Sequence, residues 1–293
     1  MPDSVTIPAH AKANLFLRIL SREASGFHCI ETLFTLLELH DELTVEQAAS
    51  GIELSVEGAD TGPAEQNLAH RAATMVLEAT GNRFGVRMHL TKRIPVMAGL
   101  GGGSSDGAAA LHAVNRLAAD AVPRHEILQF AARLGSDVPF FASGASLALA
   151  WGRGERLFRL RAPKPAPALI VVPGFGINTK RAYELFDTTR GDGAHRGAVV
   201  LDESVLDNWG AIGRLGGNDF ESPVFGKEPR LRELFERVAA TRPLLVRLSG
   251  SGSATIGVYK SEAERDGAAL EIGQRDWELI KTTTRQGAAP GPT

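Results

Sequence analysis

A cluster of glycines that leads directly into an alanine-rich segment most constrains how this chain folds. Five of the nine residues from Gly99 to Gly107 are glycine, so this backbone can adopt positive φ angles and approach an anion without interference from Cβ atoms. Apolar residues at helical spacing from Ala110 to Ala118 predict a helix over 106–119. The positive end of that helix dipole would point into the loop, where Ser104 and Ser105 add hydroxyl donors. The pattern predicts a phosphate-binding loop.

A glycine-rich turn alone is weak evidence, and other interpretations stay open at this point. The loop lacks the lysine of a Walker A motif, and it does not follow the first strand of the chain as a dinucleotide fingerprint does. Such a run is equally typical of a flexible linker or a tight packing turn. Other segments have to decide between these alternatives.

Length, charge and cysteine content narrow the classes of function. The chain has 293 residues, which is enough for two lobes, and its net charge of −2 gives no electrostatic footprint for nucleic acid or a membrane surface. The single cysteine, Cys29, cannot form an intrachain disulfide, and beside His28 it falls far short of a metal cluster. No signal-peptide pattern or membrane-spanning apolar run is present. We therefore predict a cytoplasmic protein that acts on small molecules and has no protein-bound metal.

Hydrophobic periodicity predicts an α+β architecture in two parts. In the first part we predict helices at 66–80, 106–119 and 124–134, and strands at 5–8, 12–20, 31–39, 42–47, 51–57, 85–92 and 147–151. Three prolines in 161–167 mark a linker. The second part is predicted to place two helices on a four-stranded antiparallel sheet with strands at 168–172, 243–248, 254–259 and 276–283. The predicted domains are 1–162 and 163–285, followed by a disordered tail over 286–293.

Three polar residues are candidates for phosphoryl chemistry. Lys12 and Asn14 lie on one face of an apolar strand, because strand side chains alternate. Asp137 follows a predicted helix C-cap at Gly135, and Pro139 argues against a helix directly after it, so we expect a short constrained turn there. Transfer of a phosphoryl group to an alcohol needs a proton acceptor and nearby positive charge, which Asp137 and Lys12 can supply. The plainer alternatives are a solvent-exposed strand lysine and an Asx-turn aspartate.

Aromatic and amide side chains suggest further contacts with a ligand. Phe27 and His28 suit a flat heterocycle through stacking and hydrogen bonding, and Tyr183 could supply an opposite aromatic face. A lone histidine is nevertheless more often an ordinary core or surface residue, and Tyr183 could be buried by its own amphipathic helix. Asn67 is a good helix N-cap. A second glycine loop over 248–254 could close over a phosphate from the other lobe, or could simply join two strands.

Several segments together resemble the GHMP small-molecule kinases, and the resemblance runs from Ala11 to about Tyr259. The central motif is Pro-Val-Met-Ala-Gly-Leu-Gly-Gly-Gly-Ser-Ser at 95–105. The other segments are Ala-Lys-x-Asn-Leu at 11–15, Gly-Phe-His-x-Ile at 26–30, Gln-Asn-Leu at 66–68, Gly-Ser-Asp-Val-Pro at 135–139, Asn218-Asp219, and Ser249-Gly-Ser-Gly252. The Gly-Phe-His segment is similar to that of family members acting on a cytidine diphosphate-linked polyol, which usually carry tyrosine where this chain has Phe27.

The resemblance implies a fold, a reaction and residue roles. It implies an N-terminal lobe like the second domain of ribosomal protein S5, a ferredoxin-like C-terminal lobe, and ATP with Mg²⁺ as the phosphoryl donor. In this scheme Asp137 is the general base, Lys12 steadies it, Asn14 lies beside the acceptor, and Asn67 meets the adenine. Phe27, His28 and Tyr183 would enclose the cytosine. The triphosphate would be held by Pro95, Val96, Met97, Ala98, Gly99, Leu100, Gly101, Gly102, Gly103, Ser104 and Ser105.

Two rival functions remain at this stage. One is a kinase of the same family acting on another alcohol such as homoserine, mevalonate or a sugar, and the Gly26–Ile30 segment argues against it. The other is a nucleotide-binding protein without turnover, and retention of both Lys12 and Asp137 argues against that. We expect a monomer or a weak homodimer.

Overall fold

A computed structural model describes residues 3–189 and 202–287 of the chain. Its strands are β1 (Ser4–Arg22), β2 (His28–Ala48), β3 (Ile52–Glu57), β4 (Gly85–Thr91), β5 (Leu147–Gly152), β6 (Arg156–Leu160), β7 (Pro167–Pro173), β8 (Leu245–Leu248), β9 (Thr255–Val258) and β10 (Trp277–Thr283). Its helices are α1 (Leu68–Ala79), α2 (Gly102–Leu117), α3 (Arg124–Leu134), α4 (Val138–Ser143), α5 (Thr179–Thr189), α6 (Glu203–Leu206), α7 (Trp209–Gly213), α8 (Glu221–Lys227), α9 (Pro229–Ala240) and α10 (Glu262–Ile272).

The strands form two sheets, one for each half of the chain. The first has the order β3-β4-β2-β5-β6, with β1 also paired to β2, and only β3 and β4 run parallel. The second has the order β10-β7-β9-β8 and is antiparallel throughout. This second order, with α9 before β8 and α10 between β9 and β10, is the ferredoxin-like arrangement that the resemblance implied, and α5 and α8 are additional helices on the same face. The α+β fold class is therefore confirmed.

The two sheets pack face to face between outer layers of helices. Apolar residues of β1 such as Ala11, Ala13 and Leu15 meet Ile170 of β7 and Ile256 of β9 in one buried cluster. The opposite face of the first sheet is covered by α1 to α4, and the opposite face of the second sheet is covered by α5, α8, α9 and α10. Among the described residues, no helix is both long and apolar enough to cross a membrane.

Several predicted boundaries were wrong, and the reasons are local. The predicted strands at 5–8 and 12–20 form one bulged strand, β1. Pro8 does not interrupt it, because β1 is an edge strand there and an edge strand tolerates the N–H that proline lacks. The predicted strands at 31–39 and 42–47 are also continuous, since Asp41 is fully buried against Lys92 and is not a turn residue. The edge strand β6 and the short helices α4, α6, α7 and α8 were not predicted.

The end of the chain is partly outside the described residues. Gln286, the first residue of the predicted tail, donates to the carbonyl of Ala162 at 3.2 Å and accepts from the Ser146 hydroxyl at 3.1 Å. Residues 288–293 of that tail lie outside the described part of the chain. The domain division at 162 and 163 stays a prediction, although the two sheets separate between β6 and β7.

Candidate functional site

Two clefts meet at the glycine loop. The larger, of about 650 Å³, lies between the two halves of the molecule, and we call it the acceptor cleft. The smaller, of about 370 Å³, runs along the loop and the start of α2, and we call it the nucleotide cleft. Gly99 and Gly101 line both clefts. A ligand in one cleft would therefore lie against the same backbone as a ligand in the other.

The helix after the glycine loop begins earlier than predicted. It starts at Gly102 and not at Asp106, because the glycine run itself forms the first helical turn after Gly101 at φ 74°. The first intrahelical bond of this turn runs from the Ser105 N–H to the Gly101 carbonyl at 2.9 Å. The N–H groups of Gly102, Gly103 and Ser104 precede that bond, so they are the free donors of a helix N-terminus. This geometry supports anion binding in the nucleotide cleft.

The second glycine loop docks directly on the first. The Ser249 hydroxyl donates to the Gly99 carbonyl at 2.9 Å, and the Ala254 N–H donates to the Ala98 carbonyl at 3.0 Å. A Cβ added to Gly99 would come within 2.0 Å of the Ser249 carbonyl oxygen. Glycine at 99 is therefore required by the contact between the loops as well as by its φ of 77°.

Asn218 holds the second loop in place. Its side-chain amide donates to the carbonyls of Leu248 and Gly250 at 2.8 and 2.6 Å, and its carbonyl accepts from the Phe220 N–H at 3.0 Å. The adjacent Asp219 accepts from the Ile19 N–H at 2.6 Å. Asn218 and Asp219 thus fix the second loop to β1. The sequence had suggested only a family resemblance for this segment and no role.

The predicted catalytic pair lies together in the acceptor cleft. The Nζ of Lys12 is 3.5 Å from Oδ2 of Asp137 and 2.7 Å from Oδ1 of Asn14. Asn14 in turn donates to the Thr32 hydroxyl at 2.8 Å. Lys12 is only 3% exposed, which excludes the alternative of a solvent-facing strand lysine. The arrangement aims a fixed positive charge at a carboxylate that stays accessible.

Asp137 occupies a different local structure from the one predicted. It stands at the N-cap of α4, and Pro139 fits within the first turn of that helix, so the expectation of no helix after Asp137 was wrong. The reason is that N–H groups in the first helical turn make no intrahelical hydrogen bond, so the N–H that proline lacks is not needed there. The Asp137 side chain accepts no capping hydrogen bond from this described turn. Its carboxylate, with about 30% of the side chain exposed, therefore faces the cleft.

The aromatic residues of the acceptor cleft are arranged in two groups. Phe27 is exposed at the cleft margin, with the guanidinium of Arg153 4.0 Å from its ring centroid. His28 is buried and stacks on Tyr183, with ring centroids 4.4 Å apart and planes 11° from parallel. Burial and the nearby charge of Asp137 raise the pKa of Tyr183 to about 12. No pattern in the sequence indicated Arg153, which Glu23 holds with two hydrogen bonds.

Asn67 is placed as the N-cap of α1, as predicted. Its side-chain carbonyl accepts from the Ala69 N–H at 2.9 Å, and its amide donates to the Thr61 hydroxyl at 3.2 Å. Both ends of the side chain therefore have protein partners. Asn67 lines the nucleotide cleft, but contact with an adenine stays a prediction.

A buried ionic cluster under the nucleotide cleft was missed by the sequence analysis. Lys92 donates to Asp41 and, at 2.7 Å, to Asp106, and all three side chains are almost fully buried. The other oxygen of Asp41 accepts from the N–H groups of Arg93 and Ile94. The available signal was a pair of opposite charges on either side of the glycine loop, with Lys92 before the loop and Asp106 in the helix that follows it. The cluster ties the strand before the loop to the helix after it.

Asp106 makes stability depend on pH with a defined sign. Burial raises its pKa to about 7, Lys92 opposes that change, and the charge of Asp41 adds to it. Between about pH 4 and 7 the unfolded chain therefore releases this proton while the folded chain keeps it, so the free energy of unfolding should fall as pH rises. The total fall should be on the order of a few kcal/mol, because a tenfold difference in proton affinity is worth about 1.4 kcal/mol.

Urea unfolding of wild type and Asp106→Asn at several pH values between about 4 and 7.5 tests this prediction. The free energy of unfolding of the variant should fall less steeply with pH than that of wild type. This comparison of slopes holds even if the variant is more or less stable than wild type at any single pH. Identical pH slopes for the two proteins would mean that Asp106 titrates normally in the folded state.

Magnesium fits this site only as a companion of bound phosphate. Among the described residues, no group of three or more histidine, cysteine or acidic side chains could hold a metal. The nucleotide cleft does contain the Ser104 hydroxyl, and the Oδ1 atom of Asp106 is buried without a hydrogen-bond partner in the described structure. Mg²⁺ commonly takes one or two protein oxygens and completes its shell with phosphates and water, which matches such a sparse donor set.

Comparisons with known proteins show the family that this chain is similar to. Residues 67–145 match the family described as GHMP kinases N terminal domain, and residues 201–278 match GHMP kinases C terminal. The 4-diphosphocytidyl-2-C-methyl-D-erythritol kinase of Pelotomaculum thermopropionicum is 35% identical over 96% of this chain and 98% of its own length. The enzyme of the same name from Chloroherpeton thalassium is 36% identical over 88% of this chain and 90% of its own length.

Solved structures show the same relationship. A crystal structure of 4-(cytidine 5'-diphospho)-2C-methyl-D-erythritol kinase superposes with a TM-score of 0.82 at 37% identity, over 97% of this chain and all of that one. A homoserine kinase from Cytophaga hutchinsonii superposes with a TM-score of 0.69 at 18% identity, over 98% of this chain and 96% of its own. That lower similarity shows the shared fold alone.

Proposed function

Since the chain belongs to the 4-diphosphocytidyl-2-C-methyl-D-erythritol kinases within the GHMP kinase family, we propose that its two clefts carry out that reaction. The γ-phosphoryl group of ATP passes to the C2 hydroxyl of 4-diphosphocytidyl-2-C-methyl-D-erythritol and gives the 2-phosphate and ADP. This step belongs to non-mevalonate isoprenoid precursor synthesis. Monomeric or weakly dimeric assembly and a cytoplasmic location stay predictions.

The placement of Lys12 and Asp137 in the acceptor cleft carries the proposal, because Lys12 contacts Gly101, which lines both clefts. Asp137 accepts the proton of the C2 hydroxyl as the oxygen attacks the γ-phosphorus, and the bond to the β-phosphate oxygen breaks. Lys12, 3.5 Å from that carboxylate, keeps it oriented and offsets negative charge on the transferring group. Asn14 holds the Lys12 ammonium from the other side at 2.7 Å.

The nucleotide cleft holds ATP in this scheme. The N–H groups at the start of α2 bind phosphate oxygens, and the Ser104 hydroxyl in the same cleft would hold a phosphate-bound Mg²⁺. Mg²⁺ supplies charge neutralisation on the phosphates. Asn67 lines the same cleft, and on the basis of the family resemblance we assign it to the base of the nucleotide.

The acceptor cleft holds the cytidine end of the other substrate. Phe27 offers one free ring face, since Arg153 covers the other. His28 and Tyr183 form a stacked pair on the opposing elements β2 and α5. These residues therefore provide both a stacking surface and a polar ring edge for a pyrimidine.

An acceptor panel tests the proposed function directly. Purified enzyme with ATP and Mg²⁺ should release ADP rapidly with 4-diphosphocytidyl-2-C-methyl-D-erythritol and only at background rate with homoserine, mevalonate or galactose. Faster turnover with one of those three alcohols would assign the site to another kinase of the family. No acceptor-dependent ADP release from folded, ATP-binding protein would indicate a protein without turnover.

Alanine substitutions at Phe27 and His28 should affect the acceptor and spare ATP. Base stacking on an aromatic side chain is worth about 1–3 kcal/mol, and a lost hydrogen bond to a buried partner costs about as much. The KM for the cytidine substrate should therefore rise about 10–100-fold in each variant, with the KM for ATP nearly constant.

Phe27→Tyr is the matched control, because it preserves the ring face and should be nearly neutral. Melting temperatures on the same preparations separate binding from packing. Equal losses for ATP and acceptor, together with a lowered melting temperature, would mean that Phe27 and His28 are packing residues.

A further inference from the structure

Asp187 is a cleft residue to which the reaction scheme gives no role. It lies in the last turn of α5, lines the acceptor cleft, and keeps about 30% of its side chain exposed. Its Oδ1 is 2.8 Å from Nε2 of His28, and its Oδ2 is 3.5 Å from the guanidinium of Arg22. Both carboxylate oxygens are thus directed at side chains of the opposite lobe.

The contact with Asp187 decides what His28 can offer a ligand. A carboxylate only accepts hydrogen bonds, so the Nε2 atom of His28 must carry a proton. In the neutral ring the other nitrogen, Nδ1, is then an acceptor. No hydrogen bond joins Nδ1 of His28 to any residue that the structure describes, and the ring cannot turn freely because it is buried and stacked on Tyr183.

An acceptor nitrogen distinguishes the two pyrimidines. Cytosine carries an exocyclic amino group at C4, which donates hydrogen bonds, whereas uracil carries a carbonyl oxygen at the same position, which only accepts. A lone pair on Nδ1 would pair with the amino group and face the carbonyl with repulsion. The state of the His28 ring can therefore select cytosine over uracil.

We propose that Asp187 is the positioning residue that fixes the His28 ring as a hydrogen-bond acceptor and so gives the acceptor cleft its preference for cytosine over uracil. The proposal rests on the proposed function, because it assigns a specificity device to the same cleft. Asp187 acts through His28 and does not touch the reacting atoms.

Competition by CDP and UDP against 4-diphosphocytidyl-2-C-methyl-D-erythritol tests the proposal. Wild type should bind CDP more tightly than UDP. Asp187→Asn can either accept from Nε2 or donate to it, so both ring tautomers become accessible, and the CDP-over-UDP preference should fall about tenfold, the value of one lost hydrogen bond. The KM for the cytidine substrate should rise more than kcat falls, and the KM for ATP should stay constant.

Two further variants make the test specific. Glu233→Gln removes the same charge from α9 of the same lobe, where Glu233 pairs with Arg237 at 2.9 Å and does not line the acceptor cleft, so the CDP-over-UDP preference of this variant should match wild type. Asp187→Glu keeps an acceptor for Nε2 and should recover part of the preference that asparagine loses.

The outcomes separate this inference from the function on which it rests. An unchanged CDP-over-UDP ratio in Asp187→Asn, or an equal change in Glu233→Gln, would overturn the role of Asp187 while leaving the kinase reaction intact. A wild-type enzyme that does not distinguish CDP from UDP would overturn it as well. Absence of phosphorylation of the cytidine substrate by wild type would instead contradict the proposed function.

Discussion

Replacing Asp137 with asparagine should lower turnover by about 10²–10⁴-fold, the usual cost of losing a general base. The carboxylate is accessible in the acceptor cleft, accepts no capping hydrogen bond from α4, and has Lys12 at 3.5 Å as its charged neighbour. An amide of the same shape can keep these contacts but cannot accept the proton of a hydroxyl group. Steady-state kinetics should therefore show a large loss in kcat with little change in the KM for ATP.

The control for this variant is Asp120→Asn, at an exposed aspartate of the same lobe. It should retain wild-type turnover. Both variants should melt near the wild-type temperature, since neither side chain supports the core. An Asp137→Asn enzyme that kept more than half of wild-type turnover would remove Asp137 from the mechanism.

Added side-chain atoms at two glycines of the phosphate loop should both weaken ATP binding but should differ in their effect on stability. Gly101 has a φ of 74°, and a Cβ there would lie 2.8 Å from the Phe141 ring and 3.0 Å from Cγ of Lys12. Gly101→Val should therefore destabilise the fold and abolish nucleotide binding together. Gly103 has ordinary helical geometry, and a Cβ there would meet no protein atom within 4 Å.

Gly103→Ala is thus the informative variant of the pair. It should leave the melting temperature unchanged or slightly higher, because alanine favours a helix over glycine by roughly 0.5–1 kcal/mol. The added methyl group stands at the exposed helix start, where phosphate oxygens have to approach the backbone. Losing one or two charge-assisted hydrogen bonds, at about 1.5–3 kcal/mol each, should weaken ATP binding about 10–100-fold or more.

Isothermal titration with ATP and thermal melting on the same samples check this pair. Unchanged ATP affinity in Gly103→Ala would mean that the phosphates are held away from the start of α2. A large loss of stability in that variant would instead show that Gly103 is a packing position, contrary to the geometry of the loop.

The sequence was sufficient for the elements with strong periodicity and for the motif residues. The apolar run from Ala168 to Val172 predicted a buried strand, and β7 does face one core with Ile170 and the other with Leu169. The sequence predicted Lys12 and Asp137 as a catalytic pair only from the requirements of phosphoryl transfer and from the family resemblance. Their separation of 3.5 Å agrees with that pairing, although their catalytic roles stay predictions.

The sequence was insufficient where the outcome depends on contacts between distant segments. Asp41 has the composition of a turn residue, and only its burial against Lys92 explains an unbroken β2. Arg153 lies far in sequence from Phe27, so its place over that ring could not be read from spacing. Glycine has a low helix propensity, so propensity alone does not predict that α2 begins at Gly102. The tertiary contacts of the loop override this propensity.

The same limit applies to the acceptor cleft. The chain pattern could associate Phe27, His28 and Tyr183 with a pyrimidine only through family resemblance. In the folded chain His28 stacks on Tyr183 and bonds to Asp187, which lies 159 positions away in sequence. Local propensity carries no information on such a pairing.

Product analysis by ³¹P NMR tests the central claim most directly. Wild-type enzyme is incubated with ATP, Mg²⁺ and 4-diphosphocytidyl-2-C-methyl-D-erythritol, and the position of the new phosphomonoester is read from its couplings to the polyol. We predict one product with the phosphate on the tertiary C2 oxygen, formed together with an equal amount of ADP. A phosphate on another hydroxyl, or ADP formed without a new phosphomonoester, would contradict the proposed reaction.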